Sequence, residues 1–163
     1  MQTGRAVVAF GPDRPMEVRE YPVLPPERDQ LVARITMASI CGSDLHMWRG
    51  EMPNLGDGAV VPGHEMAGVV HAAGADWATD SLGRPLREGD RVTFSFFNPC
   101  GKCWACLSNT GRCPNRYNRR APANEPPHFH GAYADYHVVK PGQWVFKVRT
   151  DCPTNRSRRS TAR

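Results

Sequence analysis

Residues 100–113 read CGKCWACLSNTGRC, four cysteines within fourteen positions. Cys100, Cys103, Cys106 and Cys113 stand at C-x2-C-x2-C-x6-C spacing, and four thiolates so close together can close a tetrahedron around one zinc ion. A closed site of this kind is structural: it has no open position for a substrate, and the metal supplies much of the folding energy of the small lobe that holds it. Six cysteines would also suit three disulfides in a secreted protein, but four of these lie too near one another to staple distant loops. Metal binding in a reducing compartment is therefore the preferred reading. Cys152, with no evident partner, reads as a free thiol.

Around this lobe the sequence reads as strands. At 163 residues with 15 Gly and 15 Pro, the chain suits one domain built from short strands and turns. GRAVVAF, PMEVREYP and QLVARITMASI follow one another between Gly-Pro and Pro-Pro breaks, and the third alternates at Leu31, Ala33, Ile35 and Met37 as a half-buried strand would. It delivers Cys41. Residues 42–48 then suit a short helical turn capped by Ser43 or Asp44. HEMAGVVHAAG reads as a strand that other backbone approaches closely, with Gly63 allowing a sharp turn before His64. Arg91 to Phe97 forms a strand leading into the cysteine lobe, and GAYADYHVVK and QWVFKV close the fold. Residues 114–129 are irregular.

Charge is distributed unevenly. Of the net +5, residues 149–163 carry five Arg against one Asp, or +4, leaving the preceding 148 residues at +1. Such a tail is expected to be disordered and solvated, and without interleaved aromatics it offers no base-stacking surface. No apolar run reaches the ~18 residues of a membrane span, and MQTGRAVVAF lacks a signal-peptide core, so a cytoplasmic protein is expected, with no membrane partner.

A second, differently built constellation lies upstream: Cys41 in ICGSDLHMW and His64 in PGHEMAG. Either residue alone could be core, the thiol as a small hydrophobe and the imidazole as a hydrogen-bonded ring. Their company favours a metal. Ser43, His46 and Glu65 add a hydroxyl, a second imidazole and a carboxylate, the parts of an incomplete catalytic zinc site with a proton relay.

Taken in order, CGSDLHMWRG, VPGHEMAGVV, EGDRV, the four-cysteine stretch and GAYADYHVV resemble the N-terminal, GroES-like catalytic domain of zinc-dependent medium-chain alcohol dehydrogenases, over roughly residues 5–150. The resemblance implies a mainly β fold: a partly open β-barrel with an inserted four-cysteine zinc lobe at about 98–115 and a few short helices. The domain would span 1–148, followed by an aberrant basic tail, 149–163. It implies Cys41 and His64 as ligands of a catalytic zinc with Glu65 binding or tuning it, Ser43 and His46 as the proton relay, and Cys100, Cys103, Cys106 and Cys113 as the structural zinc set. Trp48 and Phe96 fall where that family lines its substrate pocket, although filling core would explain both aromatics equally well. Asp44 is left to local structure, bonding backbone or pairing with a charge such as Arg91.

Three departures stand out. The family usually has seven residues between its third and fourth lobe cysteines and this chain has six, a shortening that Gly111 can absorb. A third ligand for the catalytic zinc is not identifiable; Asp151 and Cys152 are substitutes of little weight. No G-x-G-x-x-G occurs, so no NAD(P) site can be drawn. The resemblance thus implies a zinc-dependent oxidoreductase acting on a small-molecule alcohol or ketone, present as a catalytic-domain fragment inactive or nearly so alone, with NAD(P) belonging to the full-length family only. Its exposed domain-interface surface could drive homo-oligomerisation. The alternative is a stand-alone zinc-binding module whose basic tail contacts nucleic acid or acidic partners.

Overall fold

The computed structural model describes residues 1–51, 59–95, 99–100, 102–110, 113–114 and 122–149. Five antiparallel strands form the main sheet in the order β6-β3-β4-β5-β7, and β1 pairs with β2 in a separate ribbon. The strands are β1 Thr3–Val8, β2 Glu17–Pro22, β3 Leu31–Ser39, β4 Glu65–Ala73, β5 Arg91–Phe94, β6 Tyr136–Val139 and β7 Val145–Lys147. Two short helices, α1 Gly42–Trp48 and α2 Trp104–Leu107, follow the two cysteine-bearing segments. The protein is therefore mainly β, with open sheets and the four-cysteine lobe inserted between β5 and β6, as the resemblance implies.

β3 and β4, nine residues each, are the spine. Leu31, Ala33, Val70, Val92, Val139 and Val145 pack one core on this sheet, while Ala6, Val8, Val32, Phe129 and Val138 pack a second between the sheet and the ribbon. Burial of each large aliphatic contributes about 1.5–3 kcal/mol. At Gly68 the backbone of β3 comes close to β4: a Cβ there would stand 2.5 Å from the carbonyl oxygen of Arg34.

The alternation expected along β3 does not hold. Leu31, Val32 and Ala33 are all buried, whereas Met37 is 54% exposed. The first half lies between β4 and β6, with one core on each face. Past Arg34 the pairing with β6 ends, and the register shifts at Val32/Ala33 and Ile35/Met37 break the strict two-residue period. β5 ends at Phe94, three residues short of the expected Phe97, and residues 96–98 lie outside the described ones.

One buried carboxylate ties the closing strand to the preceding loop. Asp80 Oδ1 accepts from the backbone N–H groups of Leu82 and Arg84, and Oδ2 accepts from Arg84 Nε and from the N–H of Lys147 in β7. Burial by itself would raise this carboxyl's pKa, but these donors hold it far below the usual carboxylate range.

Candidate metal centres

In the lobe, Cys103 Sγ lies 3.4 Å from Cys106 Sγ and 3.8 Å from Cys113 Sγ, and Cys100 Sγ lies 3.9 Å from Cys106 Sγ. These separations are far beyond a sulfur–sulfur bond of ~2.05 Å. They match the edge of a tetrahedron with metal–sulfur bonds of ~2.3 Å, about 3.8 Å. Cys103 caps α2, which turns Cys106 back toward it, and the N–H of Cys100 donates to the buried Cys113 Sγ at 3.3 Å. The shorter final loop therefore still brings Cys113 into the cluster. Backbone N–H donors, first that of Lys102, lower the Cys100 thiol to about 6, so this cysteine favours thiolate at neutral pH. The donor set and its spacing fit a zinc ion.

The second cluster is assembled by strand register. Ser39, the last residue of β3, is paired with Glu65, the first of β4. Cys41, two residues past Ser39, and His64, one before Glu65, are thereby brought to the same end of the sheet. Donor atoms of Cys41, His64 and Glu65 all lie within 4.8 Å of one another. Gly63 makes the turn into His64 with φ +82°, a conformation that L side chains rarely adopt. Ser39 Oγ donates to Glu65 Oε2 at 3.0 Å, holding that exposed carboxylate beside the pair.

Cys41, not Ser43 or Asp44, is the N-cap of α1. Asp44 closes the turn from inside: the N–H of Cys41 donates to Asp44 Oδ2 at 2.9 Å, a reciprocal arrangement with the N–H of Asp44 on the Cys41 carbonyl. Only 5% exposed, Asp44 also accepts from the Tyr133 hydroxyl at 2.7 Å and faces His64 Nδ1 across 3.4 Å with Oδ1. That oxygen approaches the imidazole at ion-pair distance and has no other contact of hydrogen-bond geometry among the described residues. A carboxylate on Nδ1 favours the tautomer that leaves Nε2 as the lone-pair donor, the form in which imidazole binds a metal. The donor set of Cys41, His64 and Glu65 thus fits a zinc ion here also. Asp44 does bond backbone, but no ion pair joins it to Arg91.

The remaining candidates divide. Ser43 Oγ sits 3.2 Å from His64 Nε2. His46 is exposed and contacts the Glu51 carboxylate through Nδ1, which lowers the Glu51 pKa. No hydrogen bond joins Ser43 to His46. Trp48, 40% exposed, donates through Nε1 to the Arg14 carbonyl at 3.2 Å and borders a small cavity with Met16, Asp44, Met47 and Val60. Phe96, Asp151 and Cys152 lie outside the described residues.

Sequence reasoning missed Asp44 and Tyr133. The C-x-x-D spacing of a helix N-terminus signalled Asp44; nothing local signals Tyr133, 89 positions away. Burial, then the Asp44 hydrogen bond and charge, push the Tyr133 phenol well above its ordinary pKa, so it stays a donor.

Fold and clusters together define a β-rich domain with two cysteine-bearing, metal-capable centres, one closed and one open. Residues 27–150 match the family model of the alcohol dehydrogenase GroES-like domain, and the chain belongs to this family. It is 36% identical over 104 residues, 64% of its own length, to an S-(hydroxymethyl)glutathione dehydrogenase of Photobacterium damsela subsp. piscicida, of which it covers 26%. An alcohol dehydrogenase from Thermotoga maritima superposes with TM-score 0.80 at 30% identity, covering 92% of this chain and 42% of that one. A Sinorhizobium meliloti protein solved bound to NADP superposes with TM-score 0.68 at 27% identity, over 92% of this chain and 40% of its own. The chain therefore spans about a quarter of the curated relatives' length. Among the described residues no helix is long and apolar enough to cross a membrane.

Proposed function

We propose that this chain provides the alcohol-binding, metal-bearing part of a zinc-dependent alcohol dehydrogenase, interconverting an alcohol with its aldehyde or ketone. The observation that carries the reading is the convergence of Cys41, His64 and Glu65 at the β3/β4 end, with Asp44 behind the imidazole. Zinc bound there supplies Lewis acidity toward an alcohol oxygen, and NAD(P) in the complete enzyme supplies the hydride acceptor. Cys41 and His64 hold the metal, and Glu65, kept in place by Ser39, tunes it or joins it. Ser43 Oγ, beside His64, is the hydroxyl assigned to take the substrate's proton as it gives up its own, and His46, exposed one helical turn on, would pass that proton to solvent once its ring turns from Glu51 toward Ser43. Cys100, Cys103, Cys106 and Cys113 hold a structural zinc and take no part in the reaction.

Cobalt substitution tests the reading. The full chain reduced and loaded with Co(II) is expected to show two sets of visible bands, one of them lost in Cys41→Ser. Adding a simple secondary alcohol should perturb that set alone. If Cys41→Ser removes no bands, the open centre is not a metal site; if the alcohol perturbs nothing, it is not the substrate site.

A further inference from the structure

The open centre joins three chain segments, and one side chain touches all of them. The Tyr133 hydroxyl donates to Asp44 Oδ2 at 2.7 Å and stands 3.3 Å from the carbonyl of Ser39, at the end of β3. Its ring lies over Gly63, where a Cβ would meet Tyr133 Cδ1 and Cε1 at 2.7 Å. Its backbone N–H donates to the Pro62 carbonyl at 3.1 Å, and the neighbouring Ala132 N–H donates to the Gly63 carbonyl at 3.1 Å. The strand leading to Cys41, the first turn of α1 and the turn into His64 are thus gripped together.

We infer that Tyr133 is a positioning residue for the Cys41–His64 centre, an inference that rests on the reading of that centre as a metal site. The hydroxyl fixes the plane of the Asp44 carboxylate by occupying Oδ2, which leaves Oδ1 facing His64 Nδ1. Asp44 in turn faces the imidazole from the Nδ1 side, while Nε2 lies 3.2 Å from Ser43 Oγ. Without the hydroxyl, Oδ2 keeps only the Cys41 N–H, the carboxylate is free to turn, and His64 loses the partner that selects its tautomer. The ring acts separately, by packing on Gly63.

Tyr133→Phe separates the two contributions, since it keeps the ring and the backbone hydrogen bonds and removes only the hydroxyl. In Co(II) titration of the full chain, with the four-cysteine cluster as internal reference, Tyr133→Phe is expected to weaken the open centre by about tenfold, the size typical of losing support behind a ligand. The lobe should be unchanged. Adding Tyr133→Phe to Asp44→Asn should cause no further loss, because the hydroxyl acts through the carboxylate. Wild-type affinity in Tyr133→Phe, or parallel weakening of both sites, would overturn the inference. Should the wild-type chain take up metal in the lobe alone, the metal reading of the centre fails, and ¹⁵N NMR of His64 decides the positioning role by itself. A single Nδ1–H tautomer that becomes mixed in Tyr133→Phe supports it; the same tautomer in both contradicts it.

Discussion

The two clusters bring similar ligands together by opposite routes. The lobe draws four sulfurs from fourteen consecutive residues around one helical turn, and needs little from the rest of the fold. The open centre draws on residues that adjoin only because β3 and β4 pair with Ser39 opposite Glu65, and Tyr133 must reach it from 89 positions beyond Asp44. A closed local site can form whenever metal is present, whereas the open one forms only after the sheet has formed. The difference teaches where each should fail.

The largest effect should come from Cys103→Ser, whose sulfur lies beside two of the other three lobe sulfurs. The lobe should lose its metal and its amide-exchange protection, while β3 and β4 stay protected and the open centre still binds Co(II). Loss of protection across the sheet would mean that the lobe is no independent unit, and the comparison would break.

Next is Asp80→Asn, which removes a buried charge from the β7 junction and contacts neither cluster; urea unfolding should show a loss of about 3 kcal/mol. Because the folded carboxyl is held below its unfolded pKa, its contribution is complete above about pH 4 and lost as pH falls below that value. The acid limb of the stability curve should therefore flatten in the variant. Through the sheet, the open centre should weaken before the lobe does.

Gly63→Ala should cost about 2 kcal/mol, from a strained φ of +82° and a Cβ driven into the Tyr133 ring. Metal affinity should fall at the open centre only. Arg28→Ala, which removes an exposed ion pair with Asp76, should leave the urea midpoint and both metal sites unchanged.

What was legible in the sequence follows the same division. The lobe could be read from spacing because its geometry is local. Cys41 and His64 were legible as motif residues at strand ends, yet their proximity depends on register, which one strand cannot reveal. Asp44 was read as local structure, and half of that is right: it does bond the Cys41 N–H, but its other oxygen faces His64. Tyr133 was invisible, because a hydroxyl bonded across 89 positions leaves no periodic trace. The alternation read along β3 fails because both of its faces are covered at one end and neither strand pairing nor core covers the other as fully.

Zinc content of the full chain, purified reduced in metal-replete buffer, tests most directly the claim that two separate centres exist. The wild-type chain should carry about two zinc ions, and both Cys41→Ser and Cys103→Ser about one each. A single zinc in the wild-type chain, unchanged in Cys41→Ser, would contradict it.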